Sequence, residues 1–464
     1  MKIQNNLKDI TSLSSINYPF PNYLLEKTKE MKEFINKFWM LNRTAVNEDT
    51  DKLVNYLKDS LDAEIIEVKS GEECLSWVIP ENWKVKKAQL KTKDGRVVVD
   101  FQENPLYLWT HSVSYKGEIS RDDLIDKHVS FNPKMPDEII YHYKHGYNYK
   151  SREWGFSIPY SIVKEMNEEK YHVNIETELN NDNTIKVVDA YLPGERDETI
   201  FIMAHTCHPA QISDGIGNIA VAIELYNHLK SFKTRKYSYR FLFGPEYFAS
   251  AAYLAKADKE KISNLSFGVY LDMLSNHELM GFQHSMQGNS LMDKILKNVF
   301  DNHLPNYIER PYRMLWGNDE MFFNGQGFLI PTAGVGRGMH RDYHHSSDNL
   351  ENIDNYHLAE STWILMRVIQ AFENDFVPKL KYYGPLYLSR YNLSFDANIM
   401  ENLEFIQALA DGKNSCVDIA LELGLDIFSI LEYFGVLEKK NLIERVERAN
   451  RTNDQGNLFG VLKK

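Results

Sequence analysis

The chain has 464 residues, a formal net charge of −12, 43% hydrophobic residues and 25% charged residues. These values are typical of a globular protein with two or three domains. The acidic balance argues against a general affinity for nucleic acid or for anionic membranes. The three cysteines, Cys74, Cys207 and Cys416, are too few and too scattered for a disulfide framework, which favours a cytoplasmic protein.

The first predicted elements are helices within residues 20–62. The stretches MKEFINKFWML and DTDKLVNYLKDSL both carry spaced apolar positions. The N-terminus before them lacks the apolar core of a signal peptide. No run approaches the ~20 apolar residues that would span a bilayer, so we expect no membrane association.

A β-rich insertion is predicted over residues 77–160. This section contains short strand-like pieces such as RVVVDF and LYLWTHSVSY, and it is rich in aromatic residues. Its tryptophans, Trp77, Trp83, Trp109 and Trp154, fit the core of a small domain better than the wall of a substrate cleft.

From about Tyr171, short apolar runs alternate with helical patterns. This rhythm predicts an α/β fold with a mostly parallel sheet between helices. We assign residues 1–76 and 161–385 to one discontinuous α/β domain, interrupted by the insertion.

The final predicted unit covers residues 390–464 and reads helix, turn, helix and small hairpin, an order that resembles a winged helix. Residues 395–464 hold twelve acidic and eight basic side chains, and the candidate recognition helix LDIFSILEYFGVLEKKN is apolar and acidic. These properties argue against nucleic-acid binding. They favour packing or a role in a homo-oligomer.

Four apolar runs of the α/β domain lead to polar residues of the same kinds. TIFIMA leads to His205, YRFLFGP to Glu246, SFGVYL to Asp272, and GFLIPTAGV to the RDYHH segment with His344. Ligands of open α/β sheets bind beyond the carboxyl ends of the strands. We therefore expect these side chains to share one site.

The residue types in this predicted site fit a hydrolytic zinc centre. Imidazole and carboxylate groups are the usual ligands of catalytic zinc, which lowers the pKa of water. His205, Asp214, Asp272 and His344 are the candidate ligands of one or two Zn²⁺ ions. Glu246 is the candidate general base.

At these positions the chain resembles the zinc aminopeptidases with co-catalytic metals, typified by aminopeptidase S. IMAH matches the family's ligand histidine at His205, SDGIGNIAVAIEL matches its bridging aspartate at Asp214, and VYLDML matches its aspartate at Asp272. The segment FLFGPEY matches the strand before the family's glutamate pair. GNDEMFF, with Asp319, is similar to a later Ser-Asp-His segment.

The last matching motif is YHHSSD, with Tyr343, His344 and Asp348. The resemblance implies that Tyr343 steadies the oxyanion of the reaction, and the spacing to Asp348 favours His344 over His345 as the ligand. It also implies a cis peptide bond after Asp214. The motifs stand in the family's order over roughly residues 185–375.

Besides the doubled histidine of YHHSSD, the sequence departs from this family at two positions. The family's second glutamate, a metal ligand, is Tyr247 here, and the acidic residue that orients its first histidine is Cys207. His208 is a candidate for the vacant ligand place, against a plain hydrogen-bonding role in its loop. Cys207 as a nucleophile is disfavoured, because carboxylates rather than an activating His-Asn pair surround it in the inferred site.

A narrower resemblance covers nearly the whole chain. LNRTAVNED, WVIPENW, EWGFSIP, AHTCHP and YHHSSDN are similar to a bacterial family of aminopeptidase-like proteins. That likeness implies a β-rich domain inserted in the peptidase domain and a winged helix after it.

The sequence thus predicts a zinc aminopeptidase acting on a peptide or aminoacyl substrate. Two alternatives stay open: a binding or regulatory protein that has lost catalysis, which Tyr247 suggests, and a zinc deacylase of a sugar or modified amino acid. Arg337 and Arg341 are candidates for reading a substrate carboxylate, although solvated loop cations are the preferred interpretation.

Overall fold

The computed structural model of the chain describes residues 20–148 and 150–446. Two stretches used in the sequence analysis lie outside the described residues: the polar N-terminus up to residue 19, and residues 447–464, with most of the predicted C-terminal hairpin. Within the described part, no helix has the length and apolar character needed to cross a membrane.

Eighteen strands occur in the described residues. In chain order they are β1 (Glu64–Lys69), β2 (Glu73–Cys74), β3 (Trp77–Val78), β4 (Asn82–Lys91), β5 (Val97–Asp100), β6 (Tyr115–Ser120), β7 (Val129–Ser130), β8 (Phe156–Ser157), β9 (Lys170–Asn180), β10 (Thr184–Leu192), β11 (Thr199–His205), β12 (Ser238–Gly244), β13 (Leu265–Asp272), β14 (Met280–Gln283), β15 (Ile308–Arg310), β16 (Thr332–Arg337), β17 (Val377–Leu380) and β18 (Ile443–Val446).

The α-helices of the same described residues are fourteen in number. They are α1 (Tyr23–Phe38), α2 (Glu48–Leu61), α3 (Arg121–His128), α4 (Tyr160–Glu165), α5 (Gly217–Lys230), α6 (Phe248–Lys256), α7 (Lys259–Ser263), α8 (Leu291–His303), α9 (Glu320–Asn324), α10 (Asn355–Asn374), α11 (Leu388–Tyr391), α12 (Ala397–Leu409), α13 (Cys416–Leu423) and α14 (Ile427–Lys439).

The largest sheet has eight strands in the order β1-β10-β12-β11-β13-β16-β14-β15. Its four central strands, β12, β11, β13 and β16, run parallel. The pairs β1–β10, β10–β12 and β14–β16 are antiparallel, and β15 runs parallel to β14. The predicted class, an α/β fold with a mostly parallel sheet between helices, is confirmed.

Helices cover both faces of this sheet. One hydrophobic cluster includes side chains of α1, α5, α8 and α10, and a second, on the other side, includes side chains of α6 and α9. Every residue of β11 and β12 is buried. These strands are mostly apolar in sequence because neither face meets water.

A second, antiparallel sheet has the order β5-β4-β9-β6. Its core contains Trp83, Trp154 and Phe156, and Trp109 is buried nearby. The sheet takes in β9, which lies beyond the insertion range of 77–160, and the chain then passes directly into β10 of the large sheet. The division of the chain into domains stays a prediction.

The C-terminal part contains α12, α13, α14 and β18. A turn with Gly424 at φ +64° separates α13 from α14, and β18 pairs antiparallel with β17. Glycine favours this turn because the left-handed region carries no penalty for it. The helix-turn-helix order is present, and the winged helix as a whole stays a prediction.

Candidate metal centre

The four central parallel strands of the large sheet end at one edge. β11 ends at His205 and β13 ends at Asp272, while Glu246 follows β12 and His344 lies in the loop after β16. Asp214 comes from the turn between β11 and α5. His205, Asp214 and Asp272 are 0%, 3% and 4% exposed, so the edge holds a buried cluster of ionisable groups.

The first triad of this cluster consists of His205, Asp214 and Asp272. Nε2 of His205 lies 3.2 Å from Oδ1 of Asp214 and 3.6 Å from Oδ1 of Asp272. One ligand atom from each residue lies within 4.8 Å of the other two. Asn318 orients Asp272, because its side-chain amide donates to Oδ2 of Asp272 at 3.2 Å.

The second triad consists of His208, Asp214 and His344. Oδ2 of Asp214 lies 2.8 Å from Nε2 of His344 and 3.8 Å from Nε2 of His208. One ligand atom from each of these three residues also lies within 4.8 Å of the other two. The two oxygens of Asp214 therefore face different triads, as a carboxylate between two cations would.

The electrostatics of the two triads centre on Asp214. Burial raises its pKa, but the imidazoles of His208, His205 and His344 outweigh this effect and hold the pKa well below its usual range. Asp214 is thus a carboxylate anion surrounded by three histidines.

His208, the candidate for the vacant ligand place, lies with Nε2 3.8 Å from Oδ2 of Asp214. The side chain of Tyr247 does not reach the centre: its hydroxyl donates to the carbonyl of Gly317 at 3.1 Å, and its ring stacks on Trp77. The HTCH spacing was the sequence signal for His208. Spacing alone could not distinguish a ligand from a loop hydrogen bond.

The adjacent histidines His344 and His345 point to different places. His345 lies with Nδ1 2.7 Å from the carbonyl oxygen of Tyr343 and Nε2 3.0 Å from the Asn132 amide. His344 has φ +58°, a left-handed conformation that is uncommon for a residue with a side chain. This turn of the backbone is part of the arrangement in which His344, and not His345, lies beside Asp214.

Cys207 lies behind both histidines of its loop. Its Sγ is 3.1 Å from Nδ1 of His208 and 3.6 Å from Nδ1 of His205, and it accepts the backbone N–H of Glu246 at 3.3 Å. Contacts at Nδ1 fix imidazole rings so that Nε2 faces inward. Burial raises the pKa of the Cys207 thiol, which further disfavours a nucleophile.

The turn that carries Asp214 is held by Asp348. The carboxylate of Asp348 accepts hydrogen bonds from the backbone N–H groups of Ile212, Ser213 and Asp214 at 3.1, 2.9 and 3.2 Å.

The prediction of a cis peptide bond after Asp214 is wrong, since no peptide bond between described residues is cis. Gly215 makes the change of direction instead, with φ +139°, which a side chain would not tolerate.

Arg43 was not singled out from the sequence, yet it organises the same loop. Its buried guanidinium donates to the carbonyl oxygens of Thr206, Cys207, His208 and Gln211 at 3.1, 2.9, 2.6 and 2.8 Å. The residue lies between α1 and α2. A lone arginine in a loop has no sequence signature that would reveal these partners.

A segment of the inserted region covers the centre. Tyr141 donates its backbone N–H to the carbonyl of His344 at 2.8 Å, and Ser346 donates to the carbonyl of Ile139 at 2.9 Å. The ring of Tyr141 also packs edge-on against His208 and His344. The insertion therefore contributes to the wall of the site.

Glu246 lies at the boundary between the cluster and this wall. Its Oε2 is 4.0 Å from Nε2 of His208 and accepts the hydroxyl of Tyr147 at 2.5 Å. Burial raises the pKa of Glu246 to about 8. An aromatic hollow opens here, lined by Tyr141, Tyr143, Tyr147, Phe248, Cys207 and Glu246 among others.

Tyr343 stacks its ring on His344, with ring centroids 3.8 Å apart. Burial and the surrounding carboxylates raise its pKa, so the phenol keeps its proton. The residue thus lies beside the second triad with a protonated hydroxyl.

Arg337 and Asp319 lie outside the two triads. Arg337 is buried and donates to the carbonyls of Leu274, Glu278 and His357, so it holds structure together rather than meeting a substrate. Asp319 accepts the backbone N–H of Tyr247 at 2.9 Å.

The donor set of the cluster fits a divalent metal. Nε2 of His205, Oδ2 of Asp214 and Nε2 of His344 are buried, and although they lie close to one another, none makes a hydrogen bond of good geometry among the described residues. Buried polar atoms normally have partners, because losing hydration is costly. Imidazole nitrogens and carboxylate oxygens converging in this way form a set that zinc accepts.

Comparisons with known proteins agree with this fold. Residues 32–375 match the family model described as "Domain of unknown function (DUF4910)". A relative from Clostridium acetobutylicum, described as "Putative polysaccharide biosynthesis protein with aminopeptidase-like domain", is 27% identical over 430 residues. The match covers 90% of this chain and 96% of the relative.

Two solved structures share the architecture. One, described as a "putative peptidase" from Clostridium acetobutylicum, has a TM-score of 0.84 at 26% identity and covers 92% of this chain and 98% of that chain. A zinc aminopeptidase from Bacillus subtilis has a TM-score of 0.55 at 13% identity, covering 75% and 94% of the two chains. The chain therefore has an aminopeptidase-like fold.

Proposed function

We propose that this chain, which belongs to the DUF4910 family, is a metal-dependent hydrolase of the aminopeptidase type that cleaves a peptide or amide bond. The observation that carries this function is the sharing of Asp214 between the two triads. His205 and Asp272 would hold one metal ion with Asp214, and His208 and His344 would hold the other. In this arrangement His208 takes the place of the carboxylate that the family has at the position of Tyr247, so the second metal site would still have three ligands.

The reaction depends on a centre that activates water. Zinc bound by these residues would lower the pKa of water and polarise the carbonyl of the scissile bond. Glu246, at the edge of the centre, accepts a proton from the attacking water and passes it to the leaving nitrogen. The phenol of Tyr343 donates a hydrogen bond to the oxygen on which negative charge develops.

The surrounding residues orient the ligands and Glu246 and take no part in bond making or breaking. Cys207 fixes the rings of His205 and His208, and Asp348 fixes the turn of Asp214. The Tyr147 hydroxyl holds one oxygen of Glu246. Preorganised groups stabilise a transition state better than mobile ones, because they need no reorganisation during the reaction.

The expected substrate is a peptide or a small aminoacyl compound. The net negative charge of the chain argues against nucleic acid or an anionic membrane as a partner. The three cysteines are unpaired, which supports a cytoplasmic location. A homo-oligomer stays a prediction.

The test combines metal analysis with an activity assay. Purified protein is analysed for bound zinc and then assayed with a panel of aminoacyl-anilides. Because the Clostridium relative is named for polysaccharide biosynthesis, the panel includes an N-acylated amino sugar. We expect zinc in the protein and cleavage of at least one aminoacyl-anilide.

The Glu246→Gln variant separates metal binding from catalysis. We expect it to keep its zinc and to lose activity by at least about a hundredfold, within the range for a general base. Zinc-free protein, or hydrolysis that survives Glu246→Gln, would contradict the proposed function. Cleavage of the amino sugar alone would change the substrate class to that of a deacylase.

A further inference from the structure

A cluster of three side chains of metal-binding type lies outside the two triads. It consists of His277, Asp354 and His357, and one ligand atom from each residue lies within 4.8 Å of the other two. His277 is exposed in the 273–279 loop between β13 and β14, whereas Asp354 and His357 lie at the start of α10. We call these three residues the surface cluster.

The carboxylate of Asp354 has two neighbours. Its Oδ1 accepts the backbone N–H of Tyr356 at 2.7 Å and so caps α10. Its Oδ2 lies 3.4 Å from Nδ1 of His357. Although these two atoms are close, the buried Nδ1 makes no hydrogen bond of good geometry among the described residues. The helix cap therefore accounts for one oxygen of Asp354, and the other faces an imidazole nitrogen.

The separation of these two atoms is that of two ligands on one ion. Ligand atoms bound tetrahedrally to zinc, with bonds of about 2.0–2.2 Å, lie about 3.4 Å apart. The candidate metal centre contains a similar pair, since Nε2 of His205 lies 3.2 Å from Oδ1 of Asp214 and also lacks a well-formed hydrogen bond. Binding of an ion by Asp354 and His357 thus requires little movement of either side chain.

His277 supplies the third group from a different segment of the chain. Its ring lies edge-on to the ring of His357, with centroids 5.1 Å apart. The side chain of Asn276 accepts the backbone N–H of Glu278 at 2.8 Å and donates to the carbonyl of Gly338 at 3.3 Å. These bonds fix the backbone on both sides of His277.

Arg337 joins the two segments that form the surface cluster. Its buried guanidinium donates to the carbonyl of Glu278, next to His277, at 2.9 Å and to the carbonyl of His357 at 3.0 Å. The charge of Arg337 is paired with Glu360 at 2.7 Å. The loop and the start of α10 are therefore held together by the protein itself, which preorganises the three side chains.

Two imidazoles and one carboxylate are ligands that suit zinc. Calcium and magnesium prefer sites made of oxygen atoms alone, whereas imidazole nitrogen suits zinc and similar transition-metal ions. Lys32 is a cation near Asp354, and its ammonium group donates to the carbonyl of Ile353 at 3.0 Å. The donor set thus favours a divalent transition-metal ion.

We propose that the surface cluster is a further zinc site, separate from the two triads, in which His277, Asp354 and His357 bind one ion. The ion would tie the loop that follows Asp272 to the start of α10. Because His277 is exposed and only three protein ligands are present, this site binds zinc more weakly than the buried centre and loses its ion on dialysis.

Asp354→Asn is the variant that separates metal binding from helix capping. Asparagine caps a helix about as well as aspartate, so the variant keeps the start of α10 and loses a metal ligand. Dialysed unaltered protein and Asp354→Asn are each titrated with zinc by calorimetry. We expect the unaltered protein to bind about one more zinc ion per chain than the variant. The difference does not depend on whether the triads are filled, since both proteins carry the same triads.

Thermal unfolding gives a second readout of the same pair of proteins. With a chelator present, we expect Asp354→Asn and the unaltered protein to have the same unfolding midpoint. Added zinc should raise the midpoint further in the unaltered protein than in the variant, because an ion that binds only the folded state stabilises it.

His277→Ala tests the third ligand, and its exposed side chain contributes little to packing. We expect the affinity for the additional ion to fall at least about tenfold. The matched control is His172→Ala, a half-buried histidine in β9, which should keep the additional ion. Anomalous scattering from zinc-soaked crystals should place that ion between His277, Asp354 and His357.

Three results would overturn the surface site. They are equal numbers of bound ions in the unaltered protein and Asp354→Asn, an additional ion that His277→Ala retains at full affinity, and an anomalous peak at other residues in place of this one. The result expected from all three measurements is one additional ion that depends on His277 and Asp354 and not on His172.

Discussion

The carboxylate of Asp348 accepts the backbone N–H of Asp214 at 3.2 Å. The same carboxylate holds the N–H groups of Ile212 and Ser213, so it fixes the whole turn on which Asp214 is presented. Since Asp214 belongs to both triads, its position depends on a residue that lies far away in sequence.

We predict that Asp348→Ala weakens metal binding without removing a ligand. Three buried N–H groups would lose their acceptor, and the turn would no longer hold Asp214 in place. Loss of such a supporting partner typically lowers metal affinity by about 10- to 100-fold. Competition with a zinc indicator measures the change. Asp342→Ala, in the same loop region, is the control, and an unchanged affinity in Asp348→Ala would contradict the role of this turn.

We predict that Arg43→Met destabilises the protein and impairs zinc binding. The variant leaves four carbonyl oxygens of the 206–211 loop without their cation, and we expect a loss of about 3 kcal/mol in the free energy of unfolding. Urea unfolding measures this loss. The free energy of unfolding of Arg43→Lys should lie between those of the unaltered protein and Arg43→Met. An ammonium group cannot bond to four divergent acceptors as a guanidinium does. Exposed Arg390→Met serves as the control, and equal stabilities would show that the loop does not need Arg43.

We predict that Cys207→Ala lowers zinc affinity about tenfold or more, since the Nδ1 atoms of two histidines lose their partner. Cys207→Ser should retain more affinity than Cys207→Ala, because the hydroxyl can still meet an imidazole nitrogen. The same zinc competition assay measures both. Full activity and affinity in Cys207→Ala would show that the thiol only fills space.

We predict that His208→Ala removes one of two bound zinc ions. The second triad would keep only Asp214 and His344, too few for tight binding, while the first triad would stay complete. Elemental analysis after dialysis should give a ratio near one ion per chain. His345→Ala is the matched control because its imidazole points away from Asp214. A ratio unchanged by His208→Ala would place the second ion elsewhere or show that only one binds.

We predict that removing the metal lowers the thermal unfolding midpoint. Without a cation the three histidines and two aspartates of the triads keep only their protein partners, and Nε2 of His205, Oδ2 of Asp214 and Nε2 of His344 stay without a well-formed hydrogen bond. A ligand that binds only the folded state stabilises it by an amount that grows with the ratio of its concentration to Kd. Scanning calorimetry with a chelator, and again after zinc is restored, measures the shift. An identical midpoint in both conditions would argue against a tightly bound ion.

Much of the fold follows from local patterns in the sequence. The runs TIFIMAH and SYRFLFG are mostly apolar because β11 and β12 are covered on both faces, and such runs alternating with helices indicate a parallel sheet. The expectation that His205, Asp272 and His344 meet at one edge needs only the direction of parallel strands. The sequence could not determine the second sheet's extent, because the pairing of β9 with β4 is a long-range contact.

What the sequence determined by itself was therefore the class of fold and the kinds of group at the strand ends, since both arise from residues close together in the chain. The tertiary structure alone decided that His208 lies beside Asp214 while Tyr247 points elsewhere, and that Arg43 and Asp348 hold the loops. Each of these depends on side chains brought together from distant segments, and a contact of that kind has no periodicity or spacing from which it could be predicted.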